Sequence, residues 1–462
     1  MAKFIFKPWE TTKLEDSYDV IVIGSGSTGL SAALQAQELG LKAVVLEKMD
    51  KFGGNTNKAS SGMNASETNI QLRHGIVDNM DEFYQETYQG GGKLNDPELL
   101  KFFVNHSALA IDWLSDHGID LDELTITGGM SKMRTHRPGS LAPVGAFLIE
   151  NLLKLAQKTK LPIFNKTMVT RLLQENGRVQ GVEVIVGGQR KYLSAKTVIL
   201  ATGGFGASQA IIRKYRPDLA EYKTTNHPGA TGDGIILAEQ VDAQVIQMDL
   251  IQVHPTVQQD TDRAFLIGEA VRGEGAILVN AQGQRFINEL ATRKIVSNAI
   301  TSLPEHNAYL IFDQGIRDRV KAIDFYDSVG LVKSGQTLEQ LAQVLDMDVT
   351  NLEKTVASWN QAVKLQADSE FNRTTGMERE IKTGPFYAIR IAPAIHYTMG
   401  GIHIDKQTHV LDTNGNVISG LLAAGEVAGG LHGNNRIGGN SIAETIVFGL
   451  QAGRQAYLES GK

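Results

Sequence analysis

Residues 18–47 begin with the apolar run Val20-Ile21-Val22-Ile23. They pass through a glycine-rich turn into a stretch with apolar residues at helical spacing, and after Gly40 close on a second apolar run ending at Glu47. Strand, helix and strand in that order predict a βαβ unit. Short β-branched runs at 181–186 and 197–200 end near glycines and predict further strands. Helical periodicity marks 97–117, 145–159, 337–345 and 350–366. This alternation predicts an α/β fold. Gly203, Gly204 and Gly206 follow one strand, Gly400 and Gly401 another, and six glycines fall between 425 and 439. Between 253 and 394 glycines thin out and helix formers dominate, which predicts an inserted domain. The expected architecture is a Rossmann-like nucleotide-binding domain, residues 16–252 and 395–462, interrupted by an α+β capping domain, residues 253–394.

Composition narrows the chemistry. A chain of 462 residues with 42% hydrophobic and 21% charged positions has the balance of a globular protein of two domains. Its 45 basic and 51 acidic residues give −6, with no basic block to follow a phosphate backbone, so nucleic acid is excluded as a partner. Cysteine is absent, which removes disulfides, thiolate zinc sites, cysteine-ligated iron–sulfur clusters and c-type haem attachment. No metal site is expected. The first residues carry no apolar core of signal-peptide length, and no run reaches the 18 or more apolar residues of a spanning helix. A cytoplasmic location is the expectation.

The sharpest local motif is Gly24-x-Gly26-x-x-Gly29, set between the strand at 20–23 and the helix that follows. Gly24 makes the turn, Gly26 lets a diphosphate approach the backbone, and Gly29 permits close packing of the helix, whose N-terminus supplies N–H donors. Glu47 ends the second strand 18 residues after Gly29, where a carboxylate accepts ribose hydroxyls. These residues predict a dinucleotide site.

Further motifs decide which dinucleotide: Lys48, Gly53-Gly54-Asn55-Thr56 and Ser60-Ser61-Gly62-Met63-Asn64, then ATGGFG from Ala201, TGDG from Thr231, HYTMGGI from His396, and AAGEVAGGLHGNNRIGGNS over 423–441. In this order they resemble the fumarate reductase and succinate dehydrogenase flavoprotein superfamily, in particular its branch that includes flavocytochrome c. The resemblance spans nearly the whole chain and implies FAD. Covalent members carry a histidine in the loop corresponding to 53–64, and none is present here, so the FAD is expected to be non-covalent. The implied cofactor contacts are Gly24, Ser25, Gly26, Gly29, Glu47, Lys48, Gly53, Gly54, Asn55, Thr56, Ser61, Gly62, Ala201, Thr202, Gly203, Asp233, Glu426, Ser441 and Ile442. Read without the resemblance, Asp233 and Glu426 fit turn or cap roles equally well.

The stretch 266–294 carries Glu269, Arg272, Arg285, Glu289 and Arg293 among apolar residues. Read alone, this pattern fits an interdomain salt-bridge network as well as a catalytic group. The resemblance implies a proton relay in which Glu269 and Arg272 serve Arg293, the proton donor. It also implies a carboxylate site at His254, His396, Arg436 and Gly439; arginine forks and histidines supply the charge-assisted donors such a site needs. Gly268 departs from the family pattern, which commonly has a threonine there whose hydroxyl helps hold the distal substrate carboxylate. The implied reaction is reduction of fumarate to succinate. Reduction of urocanate or another 2-enoate is the alternative, and a ketosteroid dehydrogenase fits less well because Arg293 and Arg436 favour an anion. A non-catalytic flavin electron carrier is the rival of another class. With no haem or iron–sulfur ligands and no recognisable NADH- or FMN-binding domain, a separate electron donor, reduced flavin or a redox protein, is expected.

Overall fold

Strand β1 (Ser17–Ile23) lies at the centre of an eight-stranded sheet, which explains its unbroken apolar run: Val20, Ile21 and Val22 have no exposed surface, so neither face needs polar residues. It pairs in parallel with β2 (Ala43–Leu46), Val20 opposite Ala43, and with the strand Gln189–Leu200, Val20 opposite Thr197. The connection between β1 and β2 is helix α1 (Ser27–Glu38). Outward from β2 comes Ile163–Phe164; outward from Gln189–Leu200 come Val417–Ala423 and then His409–Leu411. The antiparallel hairpin Thr167–Glu175 and Arg178–Val186 joins the same sheet along Gln189–Leu200. The C-terminal helix Asn440–Glu459 packs on α1 at two glycines: a Cβ on Gly449 would lie 2.1 Å from Ser31 Oγ, and one on Gly453 2.5 Å from the Ala32 carbonyl oxygen.

This computed structural model describes residues 4–140, 142–261 and 263–461. Lys462, the last residue of the expected nucleotide-binding domain, lies outside them. The chain forms two compact units: unit 1 comprises Met1–Ala220, Asn226–Ile251 and Tyr397–Lys462, and unit 2 comprises Glu221–Thr225 and Gln252–His396. Unit 2 therefore takes in a short earlier segment, 221–225, that no sequence signal marked. Its main sheet runs Phe265–Leu266, Ile251–Gln258, Phe386–Thr398, Ala308–Asp313, Ile277–Val279, with Lys333–Gly335 pairing on Phe386–Thr398. Helices Leu338–Leu345 and Val349–Leu365 contribute Leu341, Leu352, Val356 and Trp359 to its apolar core, together with Ile277, Leu310 and Ile389 from the strands. The periodicity at 337–345 and 350–366 gave these helices to within one residue, and their ends are set by Thr337 and Asp348, whose side chains accept backbone N–H bonds as N-caps. Helix-forming composition masked the sheet of this unit, including the 13-residue strand Phe386–Thr398.

Among the described residues, no helix is long and apolar enough to cross a membrane.

Candidate functional site

In unit 1 the turn between β1 and α1 opens onto a cleft. Gly24 adopts φ +108°, and a Cβ there would lie 2.3 Å from the Ala201 carbonyl oxygen; on Gly29 it would lie 2.0 Å from the Gly24 carbonyl oxygen. Both positions require glycine for the turn to close. Gly26 differs, because a Cβ there would meet only Thr56 Oγ1, at 3.6 Å. Gly26 is the N-cap of α1 and offers no side-chain cap; the Ser27 N–H that follows donates to Thr56 Oγ1 at 3.2 Å, and Gly26 and Thr28 line the cleft.

The predicted residues Gly24, Ser25, Gly26, Glu47, Lys48, Gly54, Asn55, Thr56, Ala201, Thr202, Gly203, Asp233 and Glu426 all line this cleft. Glu47 is pinned: its Oε2 accepts the Ser25 N–H (3.1 Å) and hydroxyl (2.6 Å), and its Oε1 accepts the Met49 N–H (2.8 Å). Lys48 pairs with Asp233 at 2.7 Å and also reaches Thr231 Oγ1 at 2.6 Å. Glu426 accepts from Asn55 Nδ2 at 3.2 Å and from the Thr398 N–H at 3.2 Å, and burial raises its carboxyl above the ordinary range. The cleft fits a dinucleotide: a glycine turn and helix N-terminus on its lining for phosphate, and a fixed carboxylate for a ribose.

The other predicted cofactor residues lie outside the cleft lining. Gly29 serves packing, as above. Gly53, at φ +97°, donates its N–H to Ser25 Oγ at 3.2 Å. Gly62 is packed on the strand Thr135–Arg137, where a Cβ would lie 2.6 Å from the His136 carbonyl oxygen, and Ser61 is exposed beside it. Ser441 and Ile442 lie in the first turn of the C-terminal helix. Conversely, the cleft includes Thr28, Met49, Thr167, His227 and Thr445, which sequence reasoning missed. His227 stands four residues before the flagged TGDG run and is tied to the cleft through its N–H, donated to Asn55 Oδ1 at 2.6 Å.

Unit 2 brings the three predicted relay residues into contact. Arg293 opens the helix Arg293–Thr301; its Nε donates to Glu269 Oε1 at 2.8 Å and its Nη1 to Gln252 Oε1 at 2.8 Å. Glu269 Oε1 also lies 3.7 Å from Arg272 Nη2. Arg272 is buried, its Nη1 donates to the Glu289 carbonyl oxygen at 2.6 Å, and its Nε and Nη2 have no hydrogen-bond partner. Burial holds the Arg272 guanidinium below its ordinary proton affinity, and the cations Arg293 and Arg373 add to that effect against the pull of Glu269. Gln252 was missed because an amide on a strand carries no sequence signature.

Two other charges of the 266–294 stretch, Arg285 and Glu289, behave differently. Glu289 has no exposed surface and accepts from Arg285 Nε at 2.8 Å, Arg285 Nη2 at 3.0 Å and Arg373 Nη1 at 3.0 Å. Arg285 also pairs with Asp368 at 2.9 Å. Both guanidiniums stack on Trp359, at 4.9 Å and 4.5 Å from the ring centre. This ion network lies inside unit 2, so the salt-bridge reading holds for Arg285 and Glu289, as an internal network. Arg373 Nη2 donates to the Arg272 carbonyl oxygen at 2.6 Å, which ties the network to the residue between Glu269 and Glu289.

His254 and His396 also meet within unit 2, with ring centres 5.3 Å apart. The Thr256 N–H donates to His254 Nδ1 at 3.3 Å, which leaves the proton of the neutral ring on Nε2. His396 Nδ1 lies 2.8 Å from Thr225 Oγ1, a contact supplied by the 221–225 segment.

Arg436 and Gly439 belong to unit 1. Arg436 is buried with its guanidinium 4.5 Å from the Tyr397 ring centre. Gly439, at φ +86°, stands against Asn64, where a Cβ would lie 2.3 Å from Oδ1; the structure thus gives it a packing role. Tyr397 begins a buried polar cluster that the sequence did not reveal: its hydroxyl donates to Glu444 Oε2 at 2.5 Å, and His432 Nε2 lies 3.0 Å from the same oxygen. Burial, reinforced by Glu444, raises the Tyr397 phenol well above its ordinary range.

Residues 19–442 match a family described as an FAD binding domain. The chain is 48% identical over 442 residues to the NADH:fumarate oxidoreductase of Klebsiella pneumoniae; the match covers 95% of this chain and 48% of that protein, so the chain spans about half the length of that relative. It is 39% identical over 451 residues to a fumarate reductase (cytochrome) of Shewanella frigidimarina, covering 97% of this chain and 78% of that one. The structure superposes on the open conformation of a flavocytochrome c3 fumarate reductase with a TM-score of 0.85 and 38% identity, covering 98% of this chain and 80% of the other. Matched in sequence along almost its whole length and in fold throughout, and furnished with a cleft suited to the cofactor, the chain belongs to the FAD-binding fumarate reductase and succinate dehydrogenase flavoprotein superfamily.

Proposed function

We propose that this chain is an FAD-dependent oxidoreductase that saturates the carbon–carbon double bond of a small unsaturated carboxylate, fumarate to succinate. The observation that carries this reading is the grouping of Arg272, Glu269 and Arg293, in which one carboxylate oxygen accepts from Arg293 at 2.8 Å and lies 3.7 Å from Arg272. An electron carrier has no use for a proton path of this kind. The names of the relatives at 48% and 39% identity support the choice of substrate.

Gly24, Gly26, the N-terminus of α1, Glu47 and Asn55 would hold FAD in the cleft of unit 1, and the reduced cofactor supplies the hydride. Arg293, held by Glu269 and Gln252, delivers the proton to the carbon next to the one that receives hydride. Together they add two electrons and two protons' worth of hydrogen across the double bond. Arginine is a weak acid, so Arg293 serves only because the carbanion is a strong base and a proton returns at once through Glu269 from Arg272. His254, His396 and Arg436 hold the carboxylates and stabilise negative charge on the one next to the carbanion. Electrons reach the flavin from a donor outside these 462 residues, a reduced flavin or a redox protein or domain.

The test is anaerobic reduction of the holoprotein followed by mixing with fumarate, urocanate, methacrylate, cinnamate or a neutral enone. Fumarate should reoxidise the flavin fastest and give one succinate per flavin. Faster reoxidation by urocanate selects the 2-enoate reading, which the missing side chain at Gly268 favours by leaving room. Oxidation by the neutral enone with no response to any carboxylate overturns the proposal.

A further inference from the structure

Gly268 places no side chain beside Glu269, yet a hydroxyl stands there. The Gly268 N–H donates to the phenolic oxygen of Tyr326 at 3.1 Å, and a Cβ on Gly268 would lie 3.6 Å from that same oxygen. Tyr326 comes from the helix Ala322–Ser328, and its ring belongs to the apolar core of unit 2 with only 7% of its surface exposed. The oxygen accepts one bond, while its own hydrogen has no acceptor among the described residues. Buried polar hydrogens are rarely left unused, so an O–H whose lone pair is taken, set against a partly exposed glycine, points to an acceptor from outside the chain. Burial also raises the phenol above its ordinary range, against the smaller opposing effect of the Gly268 N–H, which keeps it a donor at neutral pH.

We propose that Tyr326 is a substrate-contacting, specificity-determining residue whose hydroxyl donates a hydrogen bond to a carboxylate oxygen of the unsaturated acid beside Gly268 and Glu269. This rests on the reading of the site as that of a carboxylate-reducing enzyme. The ligand group is a hydrogen-bond acceptor because the phenol hydrogen there is a donor, and a carboxylate is the acceptor that the proposed substrate carries. A hydroxyl carried on position 268 itself is replaced by one supplied in trans from a helix 58 residues further on.

The experiment is steady-state reduction of fumarate and of methacrylate by wild-type holoenzyme, Tyr326→Phe, and Tyr326→Phe combined with Gly268→Thr. Tyr326→Phe should keep its FAD and raise KM for fumarate roughly tenfold to a hundredfold, the usual loss for a hydrogen bond to a charged group. KM for methacrylate, which has a single carboxylate, should change less than about twofold, within the scatter of a neutral substitution. Gly268→Thr returns a hydroxyl to the same place, since its Cβ makes only an ordinary contact there, and should recover most of the lost affinity. A purely structural role for Tyr326 would not be rescued in this way. An unchanged KM for fumarate in Tyr326→Phe, an equal rise for methacrylate, or no recovery in the double variant each overturns the proposal. If Tyr326→Phe fails to retain FAD, Gly268→Val covers the same hydroxyl from the open side, and an unchanged KM for fumarate in that variant overturns it too. Wild-type enzyme that reduces no dicarboxylate sinks the underlying reading instead, and that outcome is seen before any variant is made.

Discussion

Replacing Glu289 by glutamine tests whether the ion network of unit 2 is structural in the way its geometry indicates. The carboxylate has no exposed surface and accepts four N–H bonds, two from Arg285, one from Arg373 and one from Leu278 N at 3.2 Å. Glutamine keeps the shape but has one acceptor oxygen, and its NH₂ would face a guanidinium that can only donate. The two buried arginines that Glu289 holds, Arg285 and Arg373, would then face the single carboxylate of Asp368, which pairs with Arg285. Breaking a buried ion pair by removing one partner costs about 3–5 kcal/mol. The lower end applies here. Arg285 keeps Asp368, and Arg373 keeps the carbonyl oxygens of Arg272, Ala276 and Gly376. A loss of about 3 kcal/mol raises the opened population roughly a hundredfold. Amide exchange across Ile277–Val279, read on the holoprotein, should show it, while α1 keeps its wild-type protection. A change below about 1 kcal/mol in the same amides would show that the network carries no more than an exposed pair does, and would refute the reasoning.

Three further outcomes are expected. Arg293→Ala should retain FAD and lower single-turnover oxidation of reduced enzyme by fumarate about 10²–10⁴-fold, the scale for a removed proton-transfer group; near-normal turnover would return Arg293 to the salt-bridge reading. Gly26→Val should fold normally, since only Thr56 Oγ1 lies near the new Cβ, yet weaken FAD binding about tenfold to a hundredfold through about 1–3 kcal/mol of crowding; an unchanged Kd by fluorescence titration would mean that no phosphate approaches there. His409 bonds Asp405 through Nδ1 at 2.7 Å and Glu459 through Nε2 at 2.9 Å, which raise its pKa to about 9. Its stabilisation is complete below the unfolded value near 6.5 and is lost as pH rises through about 9. With allowance for partial exposure, urea midpoints between pH 6 and 10 should reveal about 2 kcal/mol that vanishes in His409→Gln; equal slopes in both proteins would exclude it.

What could be read from the chain was local. Val20 to Ile23 showed a buried central strand because a strand covered on both faces needs no alternation, and the spacing of Gly24, Gly26 and Gly29 showed the turn because two of those positions cannot hold a Cβ. The grouping of Glu269, Arg272 and Arg293 was legible only through resemblance. By residue type alone Arg272 and Arg285 look alike, and their fates diverge because Arg285 meets Asp368, 83 positions away. The same holds for Arg373 on Glu289, Thr225 on His396 and Tyr326 on Gly268, each joined across more than fifty residues. Such partnerships are fixed by tertiary packing, and no periodicity in a single sequence encodes them.

The pinning of Glu47 has a consequence for nucleotide choice. Held by the Ser25 amide and hydroxyl and by the Met49 amide, its carboxylate cannot swing out of the cleft, so if a cofactor ribose sits there as proposed, a phosphate on it would meet a fixed negative charge. Exchanging Glu47 for a cation would not open the site to phosphorylated cofactors by itself, because three buried donors would lose their acceptor at the same moment. With a ribose at Glu47, selection of a non-phosphorylated one would be built into the strand end itself. It can be changed only together with the turn that the strand supports.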